Sequence, residues 1–220
     1  LSERVYSDVV EGRSPLWTDR YKLLMAEAGF PLREESFVLS CRRGGPYFLP
    51  NSAARLFEEL VPTAPQAEDY EYLSTACGLD MGPGYRAAMS GKVDFLALPS
   101  SVWFHDSEPV ALVRGPSAQV STMEGRIIGE TTFRIGVATL IQKYQLGLLS
   151  LDDLDARLGV ATCEQEAQII QALLSSYGVP VQVVADPLGY YEHVKTRCEA
   201  LLDVVDGDAS RLVEGGLRSA

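Results

Sequence analysis

The stretch GVATCEQEAQIIQALLSSYGVPVQVVA, residues 159–185, decides the fold class. The short apolar run that opens it is followed by a helical pattern from Glu164 to Tyr177 and by a second apolar run, Val181 to Ala185. Another helix is expected from about Glu192 to Val205. Strands that alternate with helices are typical of parallel β/α units. The sequence therefore predicts that the chain after about residue 150 opens a β/α barrel or an open α/β sheet.

The chain before residue 150 has a different pattern, which predicts a mixed α+β domain. Apolar positions at helical spacing predict three helices. They are Pro15 to Gly29, Gln66 to about Ala76, and a long helix from Thr122 to about Leu149. A fourth, amphipathic helix is expected from Asn51 to Leu60.

Short apolar runs separated by turn residues predict the strands of this front domain. The first strand is Ser36 to Cys41, and a meander of short strands is expected between residues 93 and 122. Its members are Val93 to Leu98, Ser101 to Phe104, Pro109 to Arg114 and Ser117 to Thr122. Met81-Gly-Pro-Gly84 is expected to be a turn.

Composition restricts the function classes. The 220 residues are 46% hydrophobic, and the formal net charge of −11 argues against a nucleic-acid binder, whose affinity comes mainly from neutralising phosphates. No apolar run approaches the length of about 20 residues that a membrane span needs, and the start of the chain lacks the pattern of a secretory signal. Cytoplasmic localisation is therefore expected. The four cysteines lie far apart without a C-x-x-C pair, which predicts reduced, mostly buried thiols.

Two segments carry residues suited to an anionic or aromatic ligand. Cys41-Arg42-Arg43-Gly44-Gly45-Pro46 places two guanidinium groups beside a glycine pair, which suits phosphate because arginine binds it bidentately and glycine lets the backbone approach. The alternative is a solvated hairpin turn. Thr18-Asp19-Arg20-Tyr21-Lys22 places an aromatic ring at a helix start, where backbone N–H groups favour anions and the ring could stack on a heterocycle. The alternative is that Tyr21 is an ordinary core residue.

Other residue types that often carry chemistry are assigned no role by their pattern. His105 and His193 are paired with no nucleophile by sequence, and both are expected at the surface. The acidic runs Asp152 to Asp155 and Asp203 to Asp208 lack the ligand spacing of a calcium loop, and they are interpreted as a solvated helix start and a turn. We therefore expect no metal site in this chain.

Five motifs in register resemble the nicotinate and nicotinamide phosphoribosyltransferase family, from about residue 15 to the end of the chain. They are Thr18 to Ala26, Ser40 to Pro46, Glu108-Pro109 to Gly115-Pro116, Glu124 with the strand Val160-Ala161-Thr162, and Val213-Glu-Gly-Gly-Leu-Arg218. The resemblance implies residues 1–150 as an α+β N-terminal domain and residues 151–220 as the first β/α units of an incomplete TIM-like barrel.

The resemblance also implies an activity, which is transfer of phosphoribosyl from phosphoribosyl pyrophosphate to nicotinate or a related pyridine base. Tyr21 would stack on the pyridine ring across a dimer interface, with Asp19 beside it. Arg42 would contact the pyrophosphate from that neighbouring subunit, Arg218 would face the substrate at a strand end, and Arg43 would be a further substrate-binding residue. Mg²⁺ would accompany phosphoribosyl pyrophosphate, and ATP is a further expected cofactor.

Two departures from the family pattern leave other functions open. Gly215 stands where the family usually has a second stacking aromatic, and the family's catalytic histidine lies beyond Ala220, so no residue of this chain is expected to be catalytic. A second polypeptide or a missing C-terminal segment is expected to complete the barrel, in a homodimer or a heterotetramer. The alternatives are a non-catalytic interaction or regulatory subunit of a complete homologue and a related transferase acting on a different base.

Overall fold

The computed structural model describes residues 18, 20–42, 44–50, 64–192 and 195. The described chain forms two compact units with separate cores. The first unit comprises the described residues of 18–40, 64–102 and 108–132. The second comprises those of 41–50, 103–107 and the chain from 133 onward. The predicted division near residue 150 stays a prediction.

The first unit is built on an antiparallel sheet of three strands. Strand β1 (Glu34–Ser40) is an edge, β5 (Pro109–Pro116) lies in the centre, and β3 (Asp94–Ala97) is the other edge. Burial alternates along β1 because successive side chains of a strand point to opposite faces. The predicted first strand is therefore confirmed, with its bounds shifted by about two residues.

Three helices and the start of a fourth pack in this unit. They are α1 (Arg20–Ala28), α2 (Ala67–Cys77), α3 (Pro83–Met89) and the first part of α4 (Ser117–Gln145). Gln66 begins α2 with a reciprocal capping box to Asp69, and Gly78 ends it in the left-handed conformation. The core consists of Leu23, Leu73, Leu79, Met81, Tyr85, Ala88, Met89 and Ala118.

The second unit holds the β/α pattern. Helix α5 (Leu151–Leu158) is followed by strand β6 (Val160–Ala161), helix α6 (Glu164–Ser176) and strand β7 (Val184–Ala185). Strands β6 and β7 pair in parallel, which confirms the parallel arrangement expected for this stretch. The apolar faces of α5 and α6 and the end of α4 enclose the core. Its buried members are Val137, Ile141, Leu154, Leu158, Ala161, Ala167, Ile170, Leu174, Val179 and Val181.

The predicted strand from Ser117 to Thr122 is wrong, because these residues begin the long helix α4. The first backbone N–H groups of a helix have no partner within it, and here Ser117 donates to the Arg33 carbonyl at 2.7 Å and Ala118 to the Pro31 carbonyl at 3.2 Å. A distant loop therefore starts the helix five residues before the predicted position.

The predicted turn at Met81 to Gly84 is also wrong beyond its first residues. Gly82 is the N-cap of α3, and Pro83 occupies the first helical position, where its missing N–H costs nothing. The Pro-Gly pair that indicated a turn is in fact a helix start.

The expected meander is wrong in its order. The strand β4 (Val102–Phe104) follows β3 along the chain, but it pairs with β2 (Tyr47–Leu49) in a separate sheet of two strands. Of the four members of the expected meander, β3 and β5 therefore lie in one sheet, β4 lies in another, and the fourth is the start of α4.

The last part of the described chain already turns helical at residues 187–192, before the predicted start at Glu192. The helix predicted from Asn51 to Leu60 and the strand end near Arg218 lie outside the described residues. Within the described part of the chain the parallel sheet is a pair of two-residue strands, and no closed barrel is formed. None of the described helices is long and apolar enough to cross a membrane.

Candidate functional site

Arg42 lies on a turn that directly follows β1 and Cys41. Its side chain is exposed, and it forms no ion pair with any residue that the structure describes. In a chain of net charge −11, an exposed guanidinium that forms no ion pair with a described residue has the chemistry that suits an anion. Its predicted neighbour Arg43 lies outside the described residues.

Two glycines shape this turn. Gly44 adopts a φ of 92°, in the left-handed region that glycine enters without steric cost. A Cβ atom on Gly45 would lie 3.0 Å from the backbone nitrogen of Asp106 and 3.3 Å from the ring of Tyr47. The turn therefore needs glycine at both positions, at one for its dihedral angle and at the other for close approach.

A second loop, His105–Ser107, holds the turn from the other side. The Ser107 N–H donates to the carbonyl of Cys41 at 2.6 Å, and Ser107 itself has a φ of 66°. His105 is exposed, as predicted for a surface histidine. The two loops are joined by backbone contacts, which do not depend on the rotamers of long side chains.

Tyr47 lies beneath the turn. Its ring stacks on that of Phe104, with centroids 5.6 Å apart and an interplanar angle of 28°. Burial, followed by the nearby Cys41 and Asp106, raises the pKa of Tyr47, and burial raises the pKa of the Cys41 thiol. Both groups are therefore neutral at neutral pH and add no negative charge beside Arg42.

Tyr21 lies on α1 in the first unit, and its ring is 56% exposed. The interpretation of Tyr21 as an ordinary core residue is therefore wrong. The face of α1 that is buried carries Lys22 and Leu23 instead. The side chain is consequently open to solvent, and its role in stacking stays a prediction.

Lys22 anchors this part of α1. Its side chain is only 7% exposed, and its Nζ lies 2.9 Å from Oε2 of Glu124 on α4. The same Nζ lies 5.9 Å from the centroid of the Tyr21 ring, within the range of a cation–π interaction. The Arg20 guanidinium donates to the Cys77 carbonyl at 3.4 Å and ties α1 to the end of α2.

Sequence reasoning did not assign a role to Lys22. The available signal was the pairing of a lysine in the Tyr21 motif with the acidic residue Glu124, both of which belong to motifs in register. A sequence pattern does not show that these two charges meet, because they lie 102 positions apart.

The structure describes two of the five predicted site residues. Tyr21 lies in the first unit and Arg42 in the second. Asp19, Arg43 and Arg218 lie outside the described residues, as does His193. Among the described residues, no group of three or more His, Cys, Asp or Glu side chains is arranged to hold a metal ion.

The cysteines differ in part from the expectation of mostly buried thiols. Cys41, Cys77 and Cys163 are free thiols, but Cys41 and Cys77 are only partly buried and Cys163 is exposed. Cys163 lies at the N-cap of α6, where the chain leaves the sheet. Cys198 lies outside the described residues.

The chain was compared with known proteins. No family model matches the sequence, and no curated protein matches it. Among solved structures, the chain is similar to the crystal structure of human nicotinic acid phosphoribosyltransferase, with a TM-score of 0.49 and 24% sequence identity. The similarity covers 59% of this chain and 28% of that one.

Proposed function

We propose that this chain carries the arginine turn and the stacking tyrosine of a phosphoribosyltransferase. The reaction is transfer of phosphoribosyl from phosphoribosyl pyrophosphate to nicotinate or a related pyridine base, which gives the mononucleotide and pyrophosphate. The observation that carries the proposal is the exposed Arg42 on a turn with two glycines, within a sequence motif that resembles this family.

The chemistry explains why such a turn is needed. The ring nitrogen of the base forms a bond to the anomeric carbon of the ribose while the bond from that carbon to the pyrophosphate oxygen breaks. The departing pyrophosphate keeps the electron pair and gains negative charge. A guanidinium that donates two parallel hydrogen bonds stabilises this charge as it develops. Arg42 is proposed for this contact.

Tyr21 is proposed to bind the base. A pyridine ring is planar, and an exposed tyrosine ring offers it an offset stacking surface. Because Lys22 is fixed by Glu124, the backbone that carries Tyr21 is held against α4. The resemblance further suggests that Tyr21 and Arg42 serve a site shared with a neighbouring subunit, which makes a dimer part of the proposal.

Mg²⁺ is proposed to arrive with phosphoribosyl pyrophosphate. Among the described residues, no three His, Cys, Asp or Glu side chains are grouped to bind a metal, so none is assigned as a ligand of that ion. Coupling to ATP, Asp19, Arg43 and Arg218 as further substrate contacts, cytoplasmic localisation and a second polypeptide that completes the barrel stay predictions.

The test is replacement of Arg42 by alanine. Arg42→Ala is expected to weaken binding of Mg²⁺-phosphoribosyl pyrophosphate by about 100-fold, because a charge-assisted contact to the leaving group costs about 2 to 4 kcal/mol when it is lost. Binding is measured by isothermal titration calorimetry. The matched control is Arg157→Ala, which removes an equally exposed guanidinium from α5 and should leave binding unchanged.

Unchanged binding in Arg42→Ala would refute the assignment of this turn. Binding that depends on Arg42 without release of pyrophosphate, either alone or with a co-purifying chain, would favour the non-catalytic subunit. Turnover with a base other than a pyridine carboxylate would favour the related transferase.

A further inference from the structure

We propose that Gly45 and Tyr47 are positioning residues for Arg42. Together they fix the Arg42 backbone against the loop His105–Ser107. This inference rests on the proposed function of the Arg42 turn. Neither residue needs to touch the anion. Each acts by determining where the Arg42 backbone lies.

The first support is the contact between the two loops. The Cys41 carbonyl immediately before Arg42 accepts the Ser107 N–H at 2.6 Å. On the other side of Arg42, a Cβ on Gly45 would lie 3.0 Å from the Asp106 nitrogen. The turn is therefore hydrogen-bonded to this loop before the arginine, and it passes close to the same loop after the arginine.

The second support is the ring beneath the turn. A Cβ on Gly44 would lie 3.2 Å from the Tyr47 hydroxyl oxygen, and one on Gly45 would lie 3.3 Å from the Tyr47 ring. The ring cannot withdraw easily, because it stacks on Phe104, which is buried in the second unit. Both glycines thus lie close to the Tyr47 side chain, whose position is fixed by stacking on Phe104 of β4.

The third support is that the two titratable groups of the turn beside Arg42 are neutral. The pKa values of Cys41 and Tyr47 are raised, in both cases chiefly by burial, so both groups are uncharged at neutral pH. The Asp106 carboxylate in the supporting loop lies near enough to Tyr47 to raise its pKa, but Arg42 forms no ion pair with any described residue. A Cβ added to Gly45 would force its contacts with Asp106 and Tyr47 to lengthen by a few tenths of an ångström, and the Arg42 backbone would move by a similar amount.

The experiment is a double-mutant cycle between Arg42→Ala and Gly45→Ala, with binding of inorganic pyrophosphate in the presence of Mg²⁺ measured by ³¹P NMR on the full chain. Gly45→Ala alone is expected to weaken binding about fivefold, since misplacement of a binding group by about 1 Å can cost about 100-fold and the shift here is smaller. In the Arg42→Ala background the same change is expected to have less than about a twofold effect, because the group being positioned is gone.

Three further variants serve as controls and as an alternative probe. Gly129→Ala adds a methyl group where nothing lies within 4 Å, so it is the matched glycine control and should bind as the wild type does. If Gly45→Ala lowers the thermal unfolding midpoint strongly, Tyr47→Leu is used instead to test whether the support of the turn positions Arg42. Tyr47→Phe retains the ring and should bind pyrophosphate more tightly than Tyr47→Leu.

The outcomes separate this inference from the proposed function. Wild-type binding in Gly45→Ala together with a large loss in Arg42→Ala would overturn the positioning role alone. Equal losses from Gly45→Ala in both backgrounds would also overturn it, since the glycine would then act independently of Arg42. No loss in Arg42→Ala, or no binding by the wild type, would overturn the proposed function and the positioning role together.

Discussion

The two segments proposed to bind substrate are fixed in place by different means. Tyr21 stands on a helix whose anchor is an ion pair between the buried Lys22 and the partly exposed Glu124. Arg42 stands on a turn whose anchor is a backbone hydrogen bond and whose Gly45 lies too close to Asp106 and Tyr47 to carry a Cβ without a shift of its neighbours. The first support is electrostatic and local to one pair, whereas the second is steric and shared among several groups.

This difference matches the charge of each ligand group. A cation beneath Tyr21 can be neutralised by Glu124, because a neutral stacking ring needs no net charge below it. A carboxylate paired with Arg42 would compete with pyrophosphate for the guanidinium, and Arg42 forms no ion pair with any described residue, although Asp106 belongs to the supporting loop. The comparison indicates that the binding charge is left unpaired while the anchoring charge is paired.

The largest effect in this comparison is expected at the ion pair. Lys22→Met leaves the Glu124 carboxylate, which is 37% exposed, without its partner, and should lower the free energy of unfolding by about 2 kcal/mol. Urea denaturation measures the change. The matched control is Lys92→Met, because Lys92 is 84% exposed and its pair with Asp94 should contribute less than about 0.5 kcal/mol.

The double replacement of Lys22 by Met and Glu124 by Leu separates charge from packing. It should recover much of the stability lost in Lys22→Met, since no unpaired charge remains. If Lys22→Met is as stable as the wild type, the claim that an ion pair anchors this helix is wrong.

A smaller effect is expected from the ring that the helix carries. Tyr21→Ala should weaken binding of nicotinate in the presence of phosphoribosyl pyrophosphate by about fivefold to tenfold, because ring stacking contributes about 1 kcal/mol. Tyr21→Phe should retain most of the affinity. Calorimetric titration measures both, and Tyr191→Ala, at another exposed tyrosine, is the control. Equal affinities of Tyr21→Ala and wild type would remove Tyr21 from the site.

The smallest effect concerns an exposed charge that supports a helix in the second unit. Hydrogen bonds from Ser150, first from its side chain and then from its backbone, hold the pKa of Asp153 below its ordinary 3.8. The stabilisation of α5 by this carboxylate is therefore fully present above about pH 4 to 5, and it is lost as the pH falls through the lowered pKa.

Thermal unfolding followed from pH 7 to pH 2 tests this point. Asp153→Asn should unfold at a slightly lower temperature than the wild type at pH 7, and the two should converge at the acidic end. A difference that grows as the pH falls would contradict the sign of the pKa shift. A large difference at pH 7 would show that the exposed Asp153 contributes as much stability as the Lys22–Glu124 pair, which would contradict the expected order of the two effects.

Sequence reasoning predicted the elements whose signals are local. A short apolar run bounded by turn residues indicated β1, and helical patterns indicated α2 and α6. It was wrong where a contact between distant residues decided the local structure, and where one sequence motif fits two different structures. Ser117 begins a helix because carbonyls of residues 31 and 33 accept its first N–H groups, and Pro83 fits a helix start as well as a turn.

The candidate site divides in the same way. The sequence by itself determined which residue types lie next to each other, an arginine beside two glycines and a tyrosine beside a lysine at a helix start. Only the tertiary structure decided that Tyr21 is exposed, that Lys22 meets Glu124, and that the Gly45 backbone passes close to the His105–Ser107 loop. The physical reason is that dihedral preferences and capping act over a few residues. Burial, ion pairing and close backbone approach depend on groups brought together from distant parts of the chain.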